Sequence, residues 1–414
     1  MFESFFPKPK LFLSVSIIWA ISAYLLWSSL GQTLGELIGL PFNDHDQSTT
    51  VGIGFFTTNQ ALCLYSYLIS VSGLFYAFWA IFFPHKWLRW SVLGTQIVLF
   101  STYMQVQVAV ALNNWRRPFF DKISESFTSN STVAAYDLYD LLISFAGIAF
   151  FAIFLYTATK FIVSHYIFRW RTAMNEYYMA NWQSLRHVEG ASQRIQEDTM
   201  RFATIVEGLG ISIVEALMTL IAFVPVLIGL SEYVEQLPII GEIPAPLLTA
   251  SFAWSLFGTI FLSMVGIKLP GLEFNNQKVE AAYRKELVYG EDSAERASPV
   301  SVKQLFMNIR KNYFKLYFHY MYFNLARSFY LQADAIFTYI ILVPTIIAGA
   351  ITFGILQQIL TALNQVSNSF QFLVNSWTTI VELLSVRKRL YAFEQNIEGE
   401  TQSESHVQLC YQYS

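Results

Sequence analysis

Gln357, Thr361, Asn364, Asn368, Gln371, Asn375, Thr379 and Glu382 interrupt an otherwise apolar stretch at nearly every helical turn. At about 100° per residue they fall within about 80° of one another. Amides and hydroxyls in this pattern exchange hydrogen bonds without ionising, and the terminal carboxylate holds a cation or a proton. The opposite face reads Leu360, Val366, Phe370, Leu373, Trp377, Val381 and Leu384. Twenty-six residues at about 1.5 Å rise make roughly 39 Å, longer than a bilayer's hydrocarbon core. One face therefore meets lipid or packed protein, and the other offers a path to something polar.

Two further helical faces carry ionisable groups. Arg194, Glu197, Asp198, Arg201, Thr204, Ser212, Glu215 and Thr219 share an arc of roughly 120°. Glu207 lies off the edge of that arc, so it points into a different crevice or pairs with a neighbouring helix. The pairs Arg194–Asp198 and Glu197–Arg201 have i,i+4 spacing, worth only about 0.2–0.5 kcal/mol each on an exposed helix. They stand equally as structural or functional. Embedded carboxylates such as Glu207 and Glu215 cost about 2.5–3.5 kcal/mol at a bilayer centre, which favours a bundle interior or water. The second face holds Tyr320, Asn324, Arg327, Asp334 and Thr338, on which Arg327 and Asp334 pair with one another or line the cavity. Glu382 is expected near the inner mouth. An inner loop adds Glu273, Glu280, Glu286, Glu291 and Asp292, where Glu280 and Arg284 have the spacing of a solvated helix face.

The elements that position these groups are membrane spans. The chain has 414 residues, 54% hydrophobic and 13% charged, against about 25% charged in soluble domains. A net charge of −3 gives no nucleic-acid footprint. Hydropathy places spans near 11–30, 60–83, 89–112, 138–166, 204–230 and 247–267. Residues 11–30 read as a retained anchor. Beyond them, either 335–356 forms one span, or a tight turn near Pro344–Gly349 separates long helices over roughly 316–345 and 350–388. With eight spans and both termini inside, 21 of the 26 Lys and Arg fall on the inner side, as the positive-inside rule requires. Seven spans would put Arg387, Lys388 and Arg389 outside. The inner loops at about 169–203 and 268–315 read as helical, and the tail after Glu394 as disordered.

Catalytic chemistry finds little support. There is no GxxxxGK[ST], HExxH or GxSxG. His165, His187 and His319 are separated in sequence, and Cys63 and Cys410 imply neither a disulfide framework nor a metal site. The chain is expected to be no enzyme and to take no metal or cofactor.

The segments SHYIFRWRTAMNEYYMANWQSLRHVEGASQRIQEDTMRFA, KLPGLEFNNQKVEAAYRKELVYGED, KNYFKLYFHYMYFN and NSWTTIVELLSVRKRL resemble the SbmA/BacA family of bacterial inner-membrane peptide transporters. The resemblance runs from Met1 through Arg389, apart from 31–59. It implies an all-α integral membrane homodimer of eight transmembrane helices per chain. A two-helix extension (1–87) precedes a six-helix core (88–393) similar to the membrane domain of ATP-binding-cassette exporters, followed by a cytoplasmic tail (394–414). No nucleotide-binding domain is expected after RKRLYAFEQ. The implied activity is proton-gradient-driven uptake of peptide antibiotics: microcins, bleomycin-like glycopeptides and proline-rich antimicrobial peptides. The family's acidic ladder maps onto Glu197, Glu207, Glu280, Glu291 and Glu382; Glu215 departs from the family pattern, which has Asn there. Asn364, Asn368, Gln371, Asn375, Thr379, Arg327 and Asp334 are the expected cavity lining. The expected partners are a second copy of the chain, peptides, protons and the lipid bilayer, with no nucleic acid. The alternatives are the membrane half of an ATP-driven exporter with a separately encoded ATPase, and an intramembrane enzyme or lipid-handling protein.

Overall fold

The computed structural model describes residues 1–42, 50–128, 133–188, 191–234, 238, 241, 243–293, 297–372, 376, 379–380 and 382–395. Among them the chain is almost wholly helical, with no strand. Ten helices carry the argument: α1 Pro9–Ile38, α2 Asn59–Phe82, α3 Thr95–Ser126, α4 Ala135–Ala180, α5 Thr199–Ser231, α6 Pro246–Gly266, α7 Leu269–Asp292, α8 Pro299–Ile347, α9 Phe353–Phe370 and α10 382–395. Wider π-type turns, Arg89–Gly94 and Arg194–Asp198, lead into α3 and α5.

Local sequence explains the helix starts. Thr58 and Ser298 accept the backbone N–H of Ala61 and Ser301 at 3.3 Å, capping α2 and α8. Proline opens α1, α6, α7 and α8, where its missing N–H costs nothing. The break after α8 falls at Gly349, whose φ of 67° suits a residue without a side chain. Residues 335–356 are therefore not one continuous helix, and the reading with a turn near Pro344–Gly349 holds.

Seven helical stretches among the described residues are long and apolar enough to cross a membrane: Pro9–Ile38, Asn59–Phe82, Arg89–Ser126, Ala135–Ala180, Ala191–Ser231, Pro246–Glu291 and Pro299–Ile347. They contain the first seven spans expected from hydropathy. This is a multi-pass membrane protein. Its apolar side chains are widely exposed, as lipid-facing surfaces require; along α1 only Gly31 and Gly35 are buried. At about 1.5 Å per residue, the 46 residues of α4 and 49 of α8 reach roughly 69 and 74 Å, so both outrun the bilayer. Their excess length is the helical structure expected in the polar inner loops.

The chain divides into two compact units. One comprises Met1–Val226, Ile351–Gln365 and Glu382–Ser414; the other comprises Leu227–Ala350 and Val366–Val381. In the first, α3 packs along α4. An aromatic core joins the N-terminal segment, the inner half of α4 and α10 through Phe5, Trp170, Tyr178, Phe202, Leu390 and Phe393. In the second, α6 and α7 each pack on α8. Trp254 of α6 stacks on Phe337 at 4.2 Å and on Tyr330 at 5.6 Å. Gly258 lies beneath the Tyr330 ring, where any side chain would collide with it.

Candidate functional site

The end of the first unit where α5 begins gathers a dense set of charges. Asp198 ends the π turn and its side chain is 5% exposed. Arg389 on α10 forks onto it, Nη2 to Oδ1 at 2.9 Å and Nε to Oδ2 at 3.2 Å. Arg194 Nη1 donates to Oδ2 at 2.8 Å. Planar guanidinium on carboxylate is the strongest and most directional of ordinary ion pairs. One turn along, Arg201 reaches Glu197 Oε1 at 3.3 Å and Glu382 Oε1 at 3.7 Å. These groups are 36–50% exposed, so the bridge is wet and can exchange partners. Glu197 and Glu382, predicted separately, thus share one cation.

Glu207 stands apart, as its off-arc position implied. It lines a cavity of about 720 Å³ with Phe202, Val206, Gly210, Ile211 and Val214 of α5, walled otherwise by the N-terminal segment, α3, α4 and α10. Glu215 is exposed on the same helix.

On α9 the polar stripe is exposed in part. Ile355, Ile359, Ala362, Leu363 and Val366 are buried, while Asn364 and Asn368 are exposed and Thr361 is intermediate. Gln371 does not follow the expectation. It is 3% exposed and its Nε2 donates to Tyr330 Oη at 2.7 Å. Its N–H closes an ordinary helical turn onto the Ser367 carbonyl at 3.0 Å, so Gln371 stands one turn beyond the buried Ser367 on the same side of the helix. Gln358 and Ser367, outside the stripe, are buried polar residues that periodicity missed. Thr379 is half-buried; Asn375 lies outside the described residues.

Elsewhere in the first unit, the C-terminal part of α3 meets the start of α9. Asp121 Oδ1 accepts the Gly354 N–H at 2.7 Å, and Phe120 meets Phe353 edge-on at 5.5 Å. Gln358 Nε2 reaches Asn114 Oδ1 at 3.5 Å.

In the second unit, Arg327 is exposed and Asp334 half-buried beside Trp254. They form no ion pair with one another, because two helical turns separate them and Asp334 turns toward α6. On α7, Glu280 is half-buried and Glu291 exposed near the helix end. Asn312 of α8 donates to Asn276 Oδ1 at 3.2 Å, fixing α7 against α8. The predicted carboxylates therefore lie in separate places: Glu197 with Glu382, Glu207 in its cavity, and Glu280 with Glu291 on α7.

Outside the spans, burial pushes the part-buried His85 imidazole below its ordinary range, and its Nδ1 accepts the Trp87 N–H at 3.2 Å. That histidine stays neutral and structural near neutral pH.

With this geometry established, comparison with known proteins gives the lineage. The SbmA/BacA-like family matches residues 84–398. The chain belongs to that family. Its members are membrane transporters, and the match takes in α3 to α10 with Glu197, Glu207, Glu280, Glu291 and Glu382. The chain is also 23% identical over 346 residues to the inner membrane ABC transporter ATP-binding protein YddA of Escherichia coli K12, covering 75% of this chain and 59% of that protein. It is 24% identical over 332 residues to ABC transporter D family member 2, chloroplastic, of Arabidopsis thaliana, covering 74% and 44%. The chain thus spans about half the length of the curated relatives it matches.

Sequence reasoning missed the Asp198–Arg389 fork. Arg387, Lys388 and Arg389 entered only as topological charges. The available signal was a carboxylate preceded at i−4 by Arg194, with a basic run ending the last helix.

Proposed function

We propose that this SbmA/BacA-family transporter carries peptides inward across the bacterial inner membrane, as a homodimer coupled to the proton gradient. Eight crossings per chain, with both termini cytoplasmic, suit the charge distribution. The observation that carries the reading is the exposed bridge in which Arg201 joins Glu382 to Glu197. Cationic cargo, or a proton, arriving at Glu382 competes with Arg201 for the same oxygen. Glu207, Glu280 and Glu291 supply further acidic positions on the inner side. Microcins, bleomycin-like glycopeptides and proline-rich antimicrobial peptides are the cargo class this reading favours.

Voltage sets the size of the driving force. Moving one charge through 100 mV is worth about 2.3 kcal/mol, so cargo of charge about +4 gains roughly 9 kcal/mol on entering a negative interior. Strongly basic peptides run inward on voltage alone; neutral ones need protons. The test uses liposomes containing only this chain. With voltage clamped, collapsing ΔpH stops uptake of a neutral peptide and merely slows a basic one. Unchanged neutral uptake would remove proton coupling.

The likeness to ABC transporter proteins favours a second reading, in which the chain is the membrane half of an ATP-driven transporter served by a separate ATPase. Vanadate-sensitive transport in membranes, lost on purification of this chain, selects that alternative.

A further inference from the structure

The Glu207 cavity differs in character from the charged chain at Glu382. Its walls are largely apolar and rich in aromatic rings, including Phe6, Tyr166, Trp170, Tyr177, Phe202 and Tyr391. Those rings are held by one another. Trp170 packs edge-on against Phe6 at 5.3 Å and Phe202 at 5.7 Å, and stacks on Phe5 at 5.5 Å. The cage is therefore formed before any ligand enters. Its volume of about 720 Å³ lies within the roughly 300–1,000 Å³ of small-molecule sites.

Glu207 forms no ion pair among the described residues. Lys160 on α4 is close enough to act on it electrostatically but is not bonded to it. The other charged residues in the lining are Glu3, Lys10, Arg387 and Glu394. Glu394 is already committed, accepting the Tyr178 hydroxyl at 2.8 Å and pairing with the Met1 ammonium. Two ligand types fit an apolar pocket of this size. An acyl chain would satisfy the walls but leave the carboxylate facing hydrocarbon without a partner. A cation with an aromatic body satisfies both, because ring faces attract positive charge and Glu207 neutralises it.

We propose that this cavity is a binding site for lipophilic aromatic cations, with Glu207 as the counter-charge and Phe6, Tyr166, Tyr177 and Tyr391 as the cage, held in place by the buried Trp170 cluster behind them. Such a ligand is either a small molecule or the aromatic, basic portion of a larger cargo. The site shares Glu207 with the transport reading above, on which its role as a cargo site rests. Binding is measured at equilibrium with no gradient, so the failure of one reading is distinguishable from failure of the other.

The test uses the full chain in lipid nanodiscs, with empty nanodiscs as reference, and two probes of matched shape and opposite charge. Tetraphenylphosphonium is expected to bind saturably, one per chain, while tetraphenylborate, titrated in a separate sample, only partitions into the lipid as it does in empty nanodiscs. Glu207→Gln weakens binding at least tenfold. Gly210→Leu abolishes it without touching the carboxylate, because a Cβ at Gly210 meets no atom within 4 Å and the side chain grows into open space. Unfolding and elution profiles matching wild type in either variant make that variant's loss interpretable. Saturable tetraphenylborate binding that Gly210→Leu removes, or wild-type tetraphenylphosphonium binding in a folded variant, would overturn the proposal. So would a copurifying phospholipid displaced by neither probe and lost in the Lys10→Glu, Arg387→Glu double variant, since the occupant would then be lipid.

Discussion

Arg194 and Arg389 reach Asp198 from very different places in the chain, one four residues before it and the other 191 after it. The carboxylate they share is almost fully covered, so removing it leaves two guanidiniums facing each other with nothing between. Breaking a buried pair costs about 3–5 kcal/mol; both arginines keep about a third of their exposure, which places Asp198→Ala near the lower end, about 3 kcal/mol. Glu197→Ala, in an exposed pair, is expected to cost under about 0.5 kcal/mol. Denaturant titration of the two variants checks the contrast. Glu207→Gln and Glu382→Gln should insert normally yet reduce uptake by about tenfold, a loss of roughly 1.4 kcal/mol in the transport step, read as initial rates normalised to inserted protein. Periodicity alone separated Glu207 from the arc of Glu197 and Arg201, and the structure keeps them apart. It could not reveal the Asp198 fork, which depends on a fold bringing α10 beside the π turn.

Among the elements, α9 shows both the strength and the limit of pattern reading. Its buried row of Ile355, Ile359 and Val366 and its exposed Asn364 and Asn368 follow a regular 3.6-residue period. At Gln371, one turn beyond the buried Ser367, the edge of the stripe meets the buried side and the amide turns inward to Tyr330. Asn364→Leu with Asn368→Leu should abolish peptide uptake while leaving unfolding unchanged, because neither side chain fills a core; undiminished uptake would take α9 off the route. At the crossing of α6 and α8, Gly258→Ala forces the Tyr330 ring aside and with it the Gln371 contact. Overpacking of this kind costs about 1–3 kcal/mol, measurable as a lower unfolding midpoint. Gly258 carried no such warning in the sequence, since its importance lies in which ring passes over it.

For the whole molecule, composition and hydropathy were sufficient to establish a helical, multi-pass membrane protein, and the first seven spans fall inside the observed helices. The division into two units was not legible, because it groups distant stretches such as 1–226 with 351–365. Sidedness gives the prediction at this scale. In a chain with Cys63 and Cys410 replaced by Ser, Lys311→Cys on the extended part of α8 is expected to react with membrane-impermeant thiol reagents only from the inner face. Phe127→Cys, at the end of α3, should react only from outside. The opposite pattern would invert the topology and place the Glu382 cluster at the entrance.

The wide turn at Arg194–Asp198 holds one residue more than ordinary helical winding would use. Deleting Gln196 would let the segment tighten into a plain α-helix, and because the wide turn already absorbs that residue, the helix on either side would keep nearly its present facing. Arg194 would then stand three residues before Asp198 instead of four, on the same side of the helix, and the last helix would keep its seat.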